Sequence, residues 1–172
     1  MLSEKLVAKL NEQLNYEFYS SHLYLSMAAY CAGENLDGFA NFFLVQAEEE
    51  KFHGMKFFHF IDDKDATIRF SGFEDPSAKY QSVLHVFEEA LKHEKFVTKN
   101  IYALMELATE EKEYATISFL NWFVDEQVEE ESMFNNLIQK IKAAASDPSA
   151  LLLLDMELAK RTFTPPAADT TN

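Results

Sequence analysis

The sequence predicts an all-α protein, in which four long helices form a bundle with one long crossover and a short fifth helix follows. The chain of 172 residues contains only 4 Gly and 4 Pro, and no stretch shows the alternation of β-strands. Its length fits a single domain, and we assign residues 1–161 to it and residues 162–172 to a flexible C-terminal tail. Apolar residues recur with the three-then-four spacing of amphipathic helices over residues 3–32, 37–63, 81–108 and 111–142.

The first two helices are predicted to form an antiparallel hairpin. Ser3 stands where it can cap the N-terminus of the first helix, which we expect to end near residues 33–35. Asp37 is expected to cap the second helix. A link this short returns the chain alongside the helix it has just left.

The third and fourth helices meet near Thr109 and are predicted to form a second antiparallel hairpin. Residues 64–80, which include Gly72 and Pro76, separate the two hairpins. At roughly 3.3 Å per extended residue, this segment can cross a bundle about 40 Å long. Such a crossover distinguishes one class of four-helix bundle from simple up-and-down bundles.

A short fifth helix is predicted from Pro148 to about Lys160. Asp147 is suited to cap it, and Pro148 is favoured at the first helical position. The start of this helix is rich in leucine and shows little polar side, which suggests contact with another surface such as a second subunit.

The formal charge of −14 disfavours nucleic acid and anionic membranes as partners and favours cations, although acidity alone is also a common means of keeping a cytoplasmic protein soluble. The single cysteine, Cys31, cannot form an internal disulfide, which fits a reducing compartment. The N-terminus shows no secretory signal, and the apolar run at residues 151–154 is far too short to span a membrane. We therefore expect a cytoplasmic protein.

Each of the four long helices carries a glutamate near its midpoint on the side that should be apolar. When helices of similar length pack side by side, their midpoints share one height in the bundle, whichever way each helix runs. The side chains expected to converge there are Glu17, Glu50, His53, Glu94, Gln127 and Glu130.

Burying these carboxylates without a partner is unfavourable, because two of them ~5 Å apart repel by roughly 3 kcal/mol at an effective dielectric near 20. Taken singly, each glutamate could be a surface residue assigned to the wrong face or could pair with a buried Lys or Arg. No Lys or Arg lies on the apolar faces, however, and the same error would have to occur in four helices at one height. The pattern favours a metal site.

Glu50 and His53 form a Glu-x-x-His motif, in which both side chains can reach one ion from the same face of a helix. Alone the motif is weak, since four common residues match it by chance. One imidazole among several carboxylates suits Fe²⁺, Mn²⁺ or, less selectively, Zn²⁺.

The ligand set and its order resemble those of the non-haem bacterial and archaeal ferritins, from Met1 to about Arg161. The resemblance implies a ferritin-like bundle. The matching residues are Asn11-Glu12-Gln13, Glu17, Tyr24, Glu49-Glu50, His53, Glu94, Asn121-Trp122, Glu126-Gln127 and Glu129-Glu130.

By this resemblance, Glu17, Glu50 and His53 would bind the first of two iron ions. Glu50 would bridge to the second ion, which Glu94 and Glu130 would bind. Gln127 would be a weak neutral ligand or a hydrogen-bonding group. Tyr24 would help to deliver electrons to oxygen, although its position also fits an ordinary core tyrosine. Glu49, Glu126 and Glu129 match, together with Glu130, the family's third iron position. Glu49, Glu126 and Glu129 could equally form an ordinary solvated acidic face.

Two departures from related proteins shape the expected function. The general di-iron bundle has a second Glu-x-x-His, but this chain has Gln127 and Glu130 without a histidine, which favours a site through which iron passes. Haem-binding bacterioferritins have a methionine ligand where Lys51 stands, so haem is not expected.

The resemblance implies an iron-storage ferritin that oxidises Fe²⁺ with O₂ or H₂O₂, and a homo-oligomeric shell of about 24 subunits around ferric oxyhydroxide. An alternative is a di-iron oxidase or peroxidase that acts on a small substrate without storing mineral. A helical scaffold with incidental acids would need no metal at all.

Overall fold

The computed structural model describes residues 2–76 and 79–165. Over these residues the chain is all-α with no strand, which confirms the predicted fold class. The predicted tail falls largely on residues 166–172, which lie outside the described part of the chain. The five helices are α1 (Glu4–Gly33), α2 (Asp37–Asp63), α3 (Val83–Glu110), α4 (Tyr114–Ala144) and α5 (Pro148–Leu158).

The four long helices pack as two hairpins joined by the crossover. α1 packs along α2, α3 packs along α4, and α1 also contacts α3. The short helix α5 packs against α2 and α4. None of the described helices combines the length and apolar character that a membrane span requires.

The helix ends follow the predicted caps in part. The Ser3 side chain accepts a hydrogen bond from the Leu6 amide, and the Asp147 side chain accepts one of 2.9 Å from the Ser149 amide, as expected for N-caps. The prediction for Asp37 is wrong, because Leu36 occupies the N-cap position and Asp37 is the first residue of α2.

The second hairpin turns later than predicted. α3 begins at Val83 rather than near residue 81, because Ser82 caps it by accepting a 3.2 Å hydrogen bond from the His85 amide. α4 begins at Tyr114 because three residues reverse the chain, and Lys112 among them has a left-handed φ of 57°.

The hydrophobic core is divided into two clusters, one toward each end of the bundle. One cluster contains Tyr24 and Phe39 together with Phe87 and Phe134, from all four long helices. The other cluster contains residues from the opposite ends of the same helices. Its members are Leu6, Leu10, Leu14, Phe57, Ile61, Val97, Ile101, Leu104, Leu107, Ala108, Leu120 and Phe123. The buried polar residues predicted at mid-height lie between these clusters along each helix.

Two glycines of α2 permit close packing. A Cβ built on Gly54 would lie 2.9 Å from a carbon of the Phe18 ring, so a glycine here lets α1 and α2 approach closely. A Cβ on Gly38 would lie 1.7 Å from the main-chain oxygen of Asp155 in α5. The Asp155 carboxylate also accepts a 3.0 Å hydrogen bond from the Phe39 amide, which fixes α5 against the start of α2.

The first part of the crossover is held along α1 by two asparagines. Asn11 donates a 2.9 Å hydrogen bond to the Thr67 carbonyl, and its own side-chain oxygen accepts one from the Arg69 amide. Asn15 donates to the Arg69 carbonyl at 2.8 Å and accepts from the Ser71 amide at 2.8 Å. These bonds satisfy main-chain groups that would otherwise lack partners within regular structure.

Candidate metal centre

Four glutamates, one from each long helix, lie buried at the middle of the bundle. Glu17, Glu50, Glu94 and Glu130 are each no more than 4% exposed. His53 and Gln127 are buried with them, at 3% exposure each. The helices bring the predicted side chains into one layer, which lies between the two apolar clusters of the core.

Glu17, Glu50 and His53 form the tightest group in this layer. Each offers one ligand atom, and these atoms all lie within 4.8 Å of one another. His53 Nδ1 lies 3.4 Å from Glu50 Oε2, one helical turn away. Two carboxylate oxygens and one imidazole nitrogen at this separation could bind a single divalent ion.

Glu94 and Gln127 form a second part of the layer, between α3 and α4. Gln127 Nε2 donates a 3.0 Å hydrogen bond to Glu94 Oε2 and also lies 3.2 Å from Thr98 Oγ1. The other carboxylate oxygen of Glu94 accepts a hydrogen bond from the Tyr24 hydroxyl. Glu94 therefore has a fixed orientation, with a neutral donor on each oxygen.

Glu130 lies on α4 and accepts a 2.9 Å hydrogen bond from Gln46 Nε2 of α2. The negative charge of Glu94 is the strongest charge effect on the pKa of both Glu50 and Glu130, after burial. Glu94 also raises the pKa of Glu17. The four carboxylates therefore act on one another as a single group of negative charges, which a cation of high charge would relieve.

Glutamines orient three of the four carboxylates. Only Gln127 was predicted from the sequence to act at the site, whereas Gln13 and Gln46 were not. Gln13 Nε2 donates to Glu17 at 2.8 Å, in the same way that Gln46 donates to Glu130. The side-chain oxygens of Gln13 and Gln46 are buried and find no hydrogen-bond partner within the described chain. Gln13 precedes Glu17 by four residues on one helix, so its spacing was the available signal, whereas the bond from Gln46 joins α2 to α4 and has no such local signal.

Burial raises the pKa of every carboxyl in the layer. Burial raises the pKa of Glu17 to about 7, although hydrogen bonds from Gln13 and Glu50 oppose the shift. The pKa values of Glu50 and Glu130 lie well above their usual range, first because of burial and then because of Glu94. The raised pKa values favour the protonated form of these carboxyls in the metal-free protein, so metal binding displaces protons.

His53 is kept neutral by its surroundings. Burial lowers its pKa to about 3, so the imidazole carries no positive charge near neutral pH. A neutral imidazole has a free lone pair on one nitrogen, which is the form that binds metals. Its other nitrogen, Nε2, lies 3.8 Å from Glu126 Oε1.

The three acids predicted for a third ion lie next to this layer but are not equivalent. Glu49 and Glu126 are half-buried, and Glu129 is exposed. After burial, the negative charges of Glu129 and Glu49 raise the pKa of Glu126, so the three carboxylates lie within electrostatic reach of one another. Glu49 already has a cationic partner, because its Oε2 lies 2.6 Å from Nη2 of Arg161. The Arg161–Glu49 ion pair was not predicted from the sequence.

Tyr24 lies between the layer of buried carboxylates and the aromatic part of the core. It is fully buried, and its ring packs 5.8 Å from Phe43 and 6.0 Å from Phe134, measured between ring centroids. The edge of His93 lies 6.2 Å away on a third side. Only the hydroxyl of Tyr24 reaches the carboxylate layer, through Glu94.

The fold and the buried layer together define a carboxylate-rich helical bundle with one long crossover and a candidate metal site. The chain belongs to the ferritin family, since the family model described as a ferritin-like domain matches residues 7–144. This confirms the family resemblance read from the sequence.

Individual relatives are similar over almost the whole chain. This chain is 48% identical over 163 residues to a protein named bacterial non-heme ferritin from Staphylococcus aureus strain USA300. The alignment covers 95% of this chain and 98% of the relative. The protein of that name from Staphylococcus epidermidis is 48% identical with the same coverage.

Solved structures of an archaeal relative share the fold. An engineered closed form of the Archaeoglobus fulgidus ferritin superposes with a TM-score of 0.93 at 44% identity, covering 95% of this chain and 100% of the other. The open-pore ferritin from the same organism gives a TM-score of 0.92 at 43% identity, with 94% and 98% covered.

Proposed function

We propose that this chain is an iron-storage ferritin whose subunit oxidises Fe²⁺ with O₂ at the buried layer of four glutamates and one histidine. The observation that carries the proposal is the convergence of Glu17, Glu50 and His53 within 4.8 Å of one another, with Glu94 and Glu130 buried beside them. Two relatives that are 48% identical to this chain are named bacterial non-heme ferritin.

In this proposal, iron is the substrate and two ions bind per subunit. Glu17, Glu50 and His53 bind one ion, and Glu50 bridges to a second ion bound by Glu94 and Glu130. Four carboxylates balance the charge of two Fe²⁺ ions, and the neutral His53 adds no charge. Binding displaces the protons that the buried carboxyls hold in the empty layer.

Oxidation removes one electron from each Fe²⁺ ion, and the two electrons together with two protons reduce one O₂ to H₂O₂. H₂O₂ can itself accept electrons from further Fe²⁺. We propose that Tyr24 supplies one further electron, which together with one electron from a further Fe²⁺ ion and two protons reduces H₂O₂ to two H₂O. When a phenol loses an electron it also loses its proton, and the hydrogen bond from Tyr24 to Glu94 offers that proton an acceptor.

A third ion is proposed to bind at Glu49, Glu126 and Glu129 with Glu130, on the way from the paired ions toward the place of storage. The half-buried position of Glu49 and Glu126 and the mutual effect of these acids support this assignment. The absence of a second Glu-x-x-His on α4 fits a site that releases iron rather than retaining it.

Storage requires a container, and we propose a cytoplasmic homo-oligomeric shell of about 24 subunits around ferric oxyhydroxide. The exposed apolar side chains on α5 support assembly. Leu152, Leu153 and Met156 are 60%, 67% and 56% exposed in the single chain, on the side of α5 that does not pack against α2 and α4. Contiguous apolar exposure of this kind marks interfaces.

Aerobic addition of Fe²⁺ in large excess, followed by size-exclusion chromatography with iron and protein analysis, tests storage. We expect far more than two iron atoms per chain to elute with one large assembly. Retention of only two or three per chain would instead support the di-iron oxidase or peroxidase that acts on a small substrate. A chain that binds no iron would support neither function.

A further inference from the structure

After α5 the chain runs back along α2, and we call residues 159–163 the C-terminal strap. Asn41 of α2 fastens its start by donating hydrogen bonds of 3.1 Å to the Leu158 carbonyl and 3.0 Å to the Arg161 carbonyl. Its end is fastened by Phe163, whose ring centroid lies 5.8 Å from that of Phe52. Because Asn41 and Phe52 are eleven residues apart on α2, the strap follows about 16 Å of that helix.

Arg161 lies in the middle of the strap, and its side chain points to the acids beside the metal layer. Its guanidinium carbon lies 4.5 Å from the centroid of the Phe42 ring, which orients the planar group. Nη1 lies 3.4 Å from the Phe42 carbonyl oxygen, and Nη2 donates to Glu49 Oε2 at 2.6 Å. The Arg161 and Glu49 side chains are only 22% and 20% exposed, so this ion pair is largely removed from solvent.

The guanidinium lies among the acids proposed to bind a third ion, because it pairs with Glu49 and acts electrostatically on Glu130. Arg161 and Glu129 line the same groove, at the end of α5 and beside α4. Glu49 is one of the carboxylates that this ion would need. A carboxylate oxygen that accepts a short hydrogen bond from a guanidinium has less charge and fewer free lone pairs to offer a metal ion.

We propose that Arg161 is a tethered cation that competes with the third metal ion for Glu49, so that the C-terminal strap sets the affinity of the third position. This inference rests on the proposed function, since it concerns the third ion of that site. Occupation by the third ion requires Arg161 to release Glu49 or the ion to bind without it. The third position is therefore weaker than the paired positions and fills only after them.

Anaerobic titration calorimetry with Zn²⁺ alone tests the proposal without any redox step. We compare the assembled wild-type protein with Arg161→Gln, which removes the positive charge, and with Lys160→Gln, which removes one charge from the adjacent exposed residue. We expect the two tight Zn²⁺ ions to be unchanged in all three proteins. The third should bind about tenfold more tightly in Arg161→Gln only, as expected for loss of one partly buried charge-assisted pair.

Two further variants separate competition from a role in folding. Arg161→Lys keeps a tethered charge and should keep the third ion weak. In a double-mutant cycle with Glu49→Gln, the gain from Arg161→Gln should disappear, because the contested carboxylate is absent. Asn41→Ala loosens the strap while keeping Arg161, and it should also increase the affinity for the third Zn²⁺ ion. This variant tests the proposal independently if Arg161→Gln fails to fold.

The proposal is overturned if the third Zn²⁺ ion binds Arg161→Gln and Asn41→Ala no more tightly than wild type while the two tight ions remain. The same holds if Lys160→Gln reproduces the gain, since a general loss of positive charge would then be the cause. Failure of the proposed function looks different, because the wild-type protein itself would lack the two tight ions or would not oxidise Fe²⁺.

Discussion

Gln127 of α4 holds Glu94 of α3 through a 3.0 Å hydrogen bond from its amide nitrogen to Glu94 Oε2. The same nitrogen lies 3.2 Å from the main-chain oxygen of Glu94 and 3.2 Å from Thr98 Oγ1. The two Glu94 oxygens accept hydrogen bonds, and the Thr98 hydroxyl oxygen can also accept one. These three contacts fix the Gln127 amide nitrogen toward α3. Of the two roles considered for Gln127, this geometry supports the hydrogen-bonding group.

Replacing Gln127 with leucine should therefore weaken one iron position more than the other. Loss of a hydrogen bond that orients a ligand typically lowers metal affinity by about tenfold or more. We expect this tenfold loss of affinity for the ion that Glu94 is proposed to bind. The affinity for the ion proposed at Glu17 and His53 should change much less. Gln13→Leu removes the donor to Glu17 and should give the opposite pattern. Anaerobic Fe²⁺ titration measures both, and equal weakening of both ions by both variants would contradict the assignment.

Glu50 is the carboxylate shared by the two proposed iron ions, so its loss should stop oxidation. Glu50→Gln keeps the volume and removes the charge, and we expect the initial rate of Fe²⁺ oxidation to fall by about 100-fold or more. Glu48→Gln serves as the control, since Glu48 is exposed on the same helix. Stopped-flow absorbance under O₂ measures the rates. Normal oxidation by Glu50→Gln would exclude the buried layer as the reaction site.

Tyr24→Phe tests whether the tyrosine supplies electrons or only fills the core. The ring packing against Phe43 and Phe134 is retained, whereas the hydroxyl that donates to Glu94 is lost. We expect Fe²⁺ binding within about twofold of wild type and oxidation slowed about tenfold, with no tyrosyl radical signal after rapid freezing. Tyr114→Phe, at a residue 74% exposed, is the control. Unchanged oxidation in Tyr24→Phe would leave Tyr24 a packing residue.

The sequence predicts the burial of four glutamates at one height because helix periodicity and helix length together determine which side chains meet. Glu17 and Glu94 lie 77 residues apart, yet both fall at the midpoint of an apolar face. The cap at Asp37 failed because N-cap choice depends on the backbone angles of Leu36, which the residue pattern does not contain. The Arg161–Glu49 pair was missed because it depends on the path of the chain after α5, across 112 residues of sequence.

The stability of the metal-free protein should fall as the pH rises from about 6.5 to 8. The folded state raises the pKa of Glu17 from 4.5 to about 7, and it also raises those of Glu50 and Glu130 well above their ordinary value. A raised carboxyl pKa means that the folded state binds the proton more tightly. The resulting stability is fully present below pH 4.5 and is lost as the pH rises toward and through the folded pKa. For Glu17 the whole loss is about 3 kcal/mol, of which about 1 kcal/mol falls above pH 6.5.

The buried histidines act in the opposite sense but at lower pH. Burial lowers the pKa of His53 to about 3 and that of His93 to about 4, so their effect on stability is confined below pH 6.5. Between pH 6.5 and 8 His53 and His93 therefore add little to the slope, and the buried glutamates lower the stability. Thermal unfolding of the chelator-treated protein measures how stability changes with pH, and Glu17→Gln should make this change smaller. Zn²⁺ should stabilise the wild type more at pH 8 than at pH 6.5, because fewer protons remain to be displaced. A wild-type stability that does not fall across this range would show that the carboxyls are already ionised in the metal-free protein.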